Sequence, residues 1–82
     1  MTSSDSDSGR LSSYRAGRFR IIALPDGEER TRLHIAGIKP GDVVEILISS
    51  RLPWSVVVVR TRYGHVILEK RIAEKVKVEP VE

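Results

Sequence analysis

The chain has 82 residues, no cysteine and a formal net charge of +3, from 14 Lys and Arg against 11 Asp and Glu. This length supports one small domain, and without cysteine there is neither a disulfide framework nor a thiolate metal site. No apolar run approaches the ~18 residues of a transmembrane helix, and the start, MTSSDSDSGR, lacks the basic and apolar regions of a secretory signal. We therefore expect a cytoplasmic protein without direct membrane insertion.

The first residues differ in composition from the rest. Residues 1–12 are rich in Ser, Asp and Gly and hold almost nothing to bury, which predicts a disordered tail. The folded domain is then expected over residues 13–82. Its mildly basic balance is typical of an ordinary soluble surface and is also compatible with an acidic partner.

The segment PDGEERTRLHIAG predicts a short helix over residues 27–36. Asp26 is the expected N-cap, with Glu29 three residues later as the second half of a capping box. Gly37 follows at the position where helices commonly end with a residue of positive φ. A helix this short is not stable alone, so we expect it to dock on the rest of the domain.

The next residues, IKPGD, predict a sharp corner. Ile38 can contact Leu33, as in a Schellman ending. Pro40 and Gly41 then fit the two central positions of a type II turn, because proline fixes φ at the first and glycine supplies a positive φ at the second. These glycines follow a helix and precede a strand, so we interpret them as structural and not as a phosphate-binding loop.

Alternating or β-branched apolar residues predict five strands, in the segments RFRIIAL, VVEILIS, SVVVVRTR, VILEK and VKVEP. In the second of these, Val44, Ile46 and Ile48 are expected on one face. Gly64 lies in the predicted turn RYGH, and RIAEK allows at most one helical turn. A mainly β fold with one short helix in the first connection predicts a small SH3-like barrel, since closure removes exposed strand edges.

The stretch LHIAGIKPGDVVEIL, followed by a strand pair and then GHVILEKRIAEKVKVEP, resembles the FeoA family. The similarity extends from about Leu11 to Pro80 and is most specific at the corner LHIAGIKPG. The resemblance implies an SH3-like fold and a non-enzymatic accessory role in ferrous-iron transport. It also implies a partner, the cytoplasmic part of a FeoB-type membrane transporter. Members of the family often carry a Gly-Asp-Pro tip where this chain has LPWS, which leaves the specificity for the partner open.

The sequence contains no arrangement that predicts catalysis. Cysteine is absent, and neither His34 nor His65 has a Ser or Asp at a spacing that local structure would bring into reach. Both histidines are candidate metal ligands, since two imidazoles with Asp42 or Glu45 provide the donors of a non-haem iron site. Isolated histidines on surface elements are more often solvent-exposed, so the sequence establishes no cofactor, and a transition metal ion stays an open alternative. If such a site binds a transition metal, the family resemblance points to iron.

The loop LPWS supplies the candidate partner-binding residues Leu52, Pro53 and Trp54. A tryptophan next to leucine and proline between two strands either closes the end of the barrel or anchors a partner, since Trp is enriched among binding hot spots. Both interpretations stay open at this point. A homo-oligomer is also compatible with the sequence.

Four arginines suggest an alternative function for the chain. Arg60 and Arg62 share one strand face, Arg18 and Arg20 share another, and Trp54 and Tyr63 are near the first pair in sequence. Basic residues with interleaved aromatics are typical of oligonucleotide-binding barrels. Aromatic residues make up only 5% of the chain, so a solvated strand face is favoured. A small basic barrel that binds nucleic acid or another protein, such as an SH3-like module of a transcription regulator, is the second hypothesis.

Overall fold

A computed structural model describes residues 9–49, 52 and 55–81. Six strands are present in this part of the chain: β1 Gly9–Arg10, β2 Gly17–Ala23, β3 Val43–Ser49, β4 Val56–Thr61, β5 Gly64–Glu69 and β6 Lys77–Pro80. They form one antiparallel sheet in the order β1-β6-β2-β3-β4-β5. The helices are a 3₁₀ turn at Leu11–Ser13, α1 at Glu28–Ile35 and α2 at Lys70–Ala73.

The mainly β, SH3-like fold with a helix between the first two long strands is confirmed. Two details differ from the prediction. The sheet has six strands where five were predicted, because β1 pairs with β6. Within the described residues the sheet is not closed, so β1 and β5 are its two edges.

Ordered structure begins inside the segment predicted as a tail. Leu11 is fully buried, and its N–H donates to the carbonyl of Val76 at 2.9 Å. Gly9 pairs with Val78 just before it. One apolar side chain and one strand pair are therefore enough to bring residues 9–12 into the domain, while residues 1–8 lie outside the described part of the chain.

The interior of the sheet is filled by aliphatic side chains from every long strand. In β4, Val57 and Val59 are fully buried, Val58 between them is half-buried, and Val56 and Arg60 on either side are exposed, as the period of two in a strand requires. α1 contributes Leu33 to the interior. The buried apolar residues are Leu11, Phe19, Ile21, Leu24, Leu33, Ile38, Val44, Ile46, Val57, Val59, Leu68, Ala73, Val76 and Val78.

The start of α1 differs from the prediction. The N-cap is Gly27, at φ 80° and ψ −148°, and no side chain caps the helix. The amides of Arg30 and Thr31 donate to the Gly27 carbonyl. The extended left-handed conformation of Gly27 moves Asp26 one position outward, where its carboxylate lies 3.8 Å from Arg30. The capping box with Glu29 is therefore wrong.

The end of α1 has both hydrogen bonds of a Schellman motif. The Gly37 N–H donates to the His34 carbonyl at 3.0 Å, and the Ile38 N–H donates to the Leu33 carbonyl at 2.8 Å. Gly37 has a φ of +91°. Leu33 and Ile38, the two residues whose apolar contact commonly accompanies this motif, both belong to the buried core.

The corner that follows is fixed both within itself and to β2. The Asp42 N–H donates to the Lys39 carbonyl at 3.1 Å across Pro40 and Gly41, and Gly41 has a φ of +94°. Gly41 also donates to the Ile21 carbonyl at 2.8 Å, and the Ile21 N–H donates to the Asp42 carbonyl at 2.8 Å. The chain therefore enters β3 already aligned with β2.

Gly37 and Gly41 provide a matched test of this corner. Both have positive φ, but a Cβ at Gly37 would lie 2.7 Å from the Tyr63 ring while a Cβ at Gly41 would meet nothing within 4 Å. We expect Gly41→Ala to cost about 1–2 kcal/mol of unfolding free energy from the left-handed conformation alone. Gly37→Ala should cost about 0.5–1.5 kcal/mol more, because the ring must leave its rotamer. Urea unfolding measures both, and in a Tyr63→Ala background the difference should disappear. Equal costs in the wild-type background would contradict the contact.

Leu11 tests the N-terminal boundary. Leu11→Ala should lower the unfolding free energy by about 2–5 kcal/mol, as for other buried leucines. Ile35→Ala is the control, because Ile35 is 82% exposed and surface changes usually stay within about 0.5 kcal/mol. Thermal or urea unfolding distinguishes the two. If Leu11→Ala leaves the unfolding free energy unchanged, residues 9–12 belong to the tail and not to the domain.

Candidate protein-docking surface

The outer face of the sheet carries a row of aliphatic side chains across three neighbouring strands. Ile48 pairs with Val58, and Val58 pairs with Ile67. Ile48 is 60% exposed and Ile67 is 68% exposed, while Val58 between them is half-buried. Directly opposed residues of adjacent strands touch on the same face, so the row is a continuous apolar strip.

Exposure of Ile48 corrects the predicted alternation of β3. Val44 and Ile46 are buried as expected, but the register with β4 shifts between Ile46 and Ile48. The extra residue, Leu47, is 39% exposed. A bulge of one residue turns the following side chains to the opposite face, which is why strict alternation assigned Ile48 to the core.

The strip ends at the loop between β3 and β4. Leu52 is 48% exposed, and its carbonyl accepts hydrogen bonds from the Ser55 hydroxyl at 2.6 Å and the Ser55 amide at 3.1 Å. Val56, at the start of β4, is 39% exposed. We call Ile48, Leu52 and Val56 the docking surface. The candidates Pro53 and Trp54 lie outside the described residues.

A row of charged side chains runs beside the apolar strip. Across the sheet, Arg18 pairs with Glu45, Glu45 with Arg60, and Arg60 with His65. The Arg60 guanidinium forms an ion pair with the Glu45 carboxylate. Because a carboxylate separates the two arginines, the row is not a continuous basic track.

The other candidate arginines are also engaged with neighbours. Arg20 forms an ion pair with Glu79 at 3.3 Å, and the Arg62 guanidinium lies 5.8 Å from the centre of the Tyr63 ring. An oligonucleotide-binding surface needs a positive groove along the phosphates. Two of the four candidate arginines, Arg20 and Arg60, are therefore partly neutralised by carboxylates of their own sheet.

The β4–β5 turn holds Tyr63 in place against Gly37. The Thr61 hydroxyl accepts a hydrogen bond from the Tyr63 amide at 3.0 Å and donates to the Gly64 carbonyl at 3.1 Å. Gly64 has a φ of +131°. The sequence indicated Tyr63 only as an aromatic residue near Arg60 and Arg62. Its contact with Gly37 was not predicted, because it joins two turns that are distant along the chain.

The two histidines do not converge with acidic residues. His34 lies on α1 and is exposed, and His65 is exposed on β5 opposite Arg60. Asp42 belongs to the corner, and Glu45 is paired with Arg60. Within residues 9–49, 52 and 55–81 there is no group of three or more His, Cys, Asp or Glu side chains that could hold a metal ion.

Glu69 displaces the pKa of its neighbour Arg71. The Glu69 carboxylate accepts a hydrogen bond from Arg71 Nε at 2.8 Å, and this bond, aided by the charge of Glu69, raises the pKa of Arg71. An arginine is already protonated at any ordinary pH. The shift therefore adds no pH-dependent chemistry to the surface.

The antiparallel sheet with α1 in the β2–β3 connection defines an SH3-like domain. The model of the FeoA domain family matches residues 10–80, and the chain belongs to this family. It is thus a small domain related to ferrous-iron transport. No curated protein matches the chain, and no helix in the described residues is long and apolar enough to cross a membrane.

Solved structures share the fold. An iron uptake regulatory protein, FeoA, is 20% identical with a TM-score of 0.80, over 90% of this chain and 99% of that one. A FeoA-like protein from Clostridium acetobutylicum is 20% identical with a TM-score of 0.76, over 100% of this chain and 92% of that one. ScaR with bound Zn²⁺ is 17% identical with a TM-score of 0.78, over 89% of this chain but 37% of its own.

The ion pairs on the outer face generate a prediction about nucleic acid. Titration of labelled single-stranded and duplex oligonucleotides at low salt should give a flat anisotropy signal, because Glu45 and Glu79 offset Arg60 and Arg20. The double variant Glu45→Gln/Glu79→Gln removes the carboxylate partners of both arginines. We therefore expect weak, salt-dependent binding of oligonucleotides by this variant. Steep salt-dependent binding by the wild type would contradict this prediction.

Proposed function

We propose that this protein is a non-enzymatic, cytoplasmic accessory protein that binds the cytoplasmic part of a FeoB-type transporter and regulates ferrous-iron uptake. The observation that carries the proposal is the match of the FeoA domain family to residues 10–80, which is almost the whole described chain. The chain also covers 99% of a solved FeoA protein. The binding surface is therefore expected within the matched domain.

The docking surface is the part of the domain that best fits a protein partner. Ile48, Leu52 and Val56 are exposed aliphatic side chains at one end of the sheet. Apolar patches of this kind on a small domain are typical of protein–protein contacts. The bonds from Ser55 to the Leu52 carbonyl hold the loop at its C-terminal end, so less conformational entropy is lost on binding. Pro53 and Trp54 extend this surface in the proposal.

The proposal requires no metal bound by this chain. An accessory protein can act on a transporter through protein contacts alone, and His34 and His65 lie apart from any acidic cluster in the described residues. The structural likeness to ScaR concerns the fold. The ion pairs of Arg20 with Glu79 and of Arg60 with Glu45 do not favour the binding of nucleic acid.

Binding to the transporter is tested with the purified cytoplasmic domain of FeoB. The wild-type protein should be retained with a Kd of about tens of micromolar or tighter. Leu52→Asp should weaken binding at least tenfold, which is about 1.4 kcal/mol, because a carboxylate must be desolvated at the contact. Circular dichroism confirms that each variant is folded.

Ile35→Asp is the matched control. Ile35 is an exposed aliphatic residue, at 82%, but it lies on α1, away from the β3–β4 loop. It should bind like the wild type. Two results would count against the proposal: folded wild-type protein that is not retained, or an Ile35→Asp variant that loses as much affinity as Leu52→Asp.

A further inference from the structure

β5 (Gly64–Glu69) is an exposed edge of the sheet. Among the described residues it pairs with β4 alone. Native sheets usually protect an edge with lysine, proline, a bulge or a very short strand. β5 has none of these within its six residues, GHVILE, and it pairs with β4 without a register shift. The opposite edge, β1, is only two residues long.

The direction of the backbone groups in β5 follows from its register. Gly64 pairs with Thr61 across a two-residue connection, and a turn this tight is closed by a pair that exchanges both hydrogen bonds. Hydrogen-bonded and non-hydrogen-bonded pairs then alternate along the strand. This alternation continues one residue past β5, where the Lys70 N–H donates to the Ser55 carbonyl at 3.0 Å. Even-numbered residues therefore bond to β4. The odd-numbered residues direct their N–H and C=O groups along the open edge: His65, Ile67 and Glu69.

The side chains of these three residues all lie on the outer face. Ile67 is 68% exposed, and His65 and Glu69 are exposed two residues before and after it. The strand is thus apolar at its centre, with an imidazole at one end and a carboxylate at the other. In an antiparallel pair centred on Ile67, each His65 lies opposite the Glu69 of the other strand, so the edge is complementary to itself.

We propose that two copies of this chain associate through their β5 edges as antiparallel strands, with Ile67 opposite Ile67 and His65 opposite Glu69. All three opposed pairs then use backbone groups that already face outward, which gives about six intermolecular hydrogen bonds. A slip of one residue would bring inward-facing groups to the seam and turn the side chains to the wrong face. The interface is isologous, as a two-fold dimer requires.

The rest of the outer face supports this register. The apolar row Ile48–Val58–Ile67 continues directly into Ile67 of the second copy, and burial of Ile67 removes the most exposed side chain of the row from water. Glu69 accepts from Arg71 through Oε1, and its second oxygen can accept from His65 of the second copy.

The edge is also accessible on its inner side. A groove of about 260 Å³ separates α1 from β5 and is lined by Leu33 and Ala36 on one side and Val66 and Leu68 on the other. The helix therefore leaves space beside the strand.

Sedimentation of the full chain tests the association first. The apparent mass should double as the concentration is raised to about 1 mM, the upper limit of weak but specific association. Ile67→Lys should abolish the doubling, because it places two ammonium groups opposite each other at the two-fold axis. Ile48→Lys changes the same residue type at similar exposure on an interior strand, and it should dimerise like the wild type. Circular dichroism confirms that both variants fold.

Complementary charge variants test the register. His65→Glu alone places Glu opposite Glu69, and Glu69→Lys alone places Lys opposite His65, so each variant should be monomeric at concentrations where the wild type is dimeric. An equimolar mixture should recover the doubled mass, because in the mixed dimer the introduced glutamate faces the introduced lysine and the remaining His65 faces the remaining Glu69, as in the wild type. Recovery in the mixture cannot arise from a merely structural effect of either change.

Amide hydrogen exchange provides the backbone readout. Exchange of the Ile67 amide should slow at least tenfold between dilute and concentrated protein, whereas the Val66 amide, bonded to β4, should stay protected in both. The proposal is overturned by a chain that stays monomeric at 1 mM, by loss of association in Ile48→Lys, by a mixture that stays monomeric, or by an Ile67 amide that does not respond to concentration. These outcomes are independent of any transporter.

Discussion

Two backbone hydrogen bonds determine how the rest of the sheet is aligned. Ile21 of β2 accepts from the Gly41 amide and donates to the Asp42 carbonyl, both at 2.8 Å. They can form because Gly37 and Gly41 both adopt positive φ, so the chain leaves α1 and turns directly back along β2. The corner is therefore a structural clamp, and side chains with a Cβ are strained at both glycines.

The register set at this corner extends to the far edge of the sheet. Arg20 pairs with Val43 next to the clamp, and β3 then aligns β4, which aligns β5 through a two-residue turn. A slip of one residue anywhere would move every outward side chain inward. Ile67 is exposed and Leu68 is buried for this reason. Contact of the Tyr63 ring with Gly37 connects the last turn back to the first corner.

Local structure in this protein is well encoded by its sequence, because it depends on neighbours in the chain. The strands, α1 and the mainly β class follow from periodicity, and the helix ending follows from a glycine before Ile38. The sequence did not predict features that depend on residues distant along the chain. Leu11 is buried because β6 lies beside it, and the bulge at Leu47 exposes Ile48. One local detail was also wrong, since Gly27 takes the N-cap position in place of the adjacent Asp26. Of the docking surface, only Leu52 was predicted from the sequence. Bulges and partner strands determine which Ile and Val residues of a strand face outward.

The outer face combines two kinds of contact because its rows run across the strands. Successive outward residues in one strand belong to different rows, so Arg60 and Val58 of β4 lie in a charged row and an apolar row, respectively. Each step of the charged row from Arg18 to Arg60 brings opposite charges together, which stabilises the pairing modestly and leaves little free positive charge for phosphate. Among the described residues, neither end of the apolar row is paired with a further strand. Its ends, at Ile48 beside the β3–β4 loop and at Ile67 on the open edge, are where burial against another protein surface gains the most free energy.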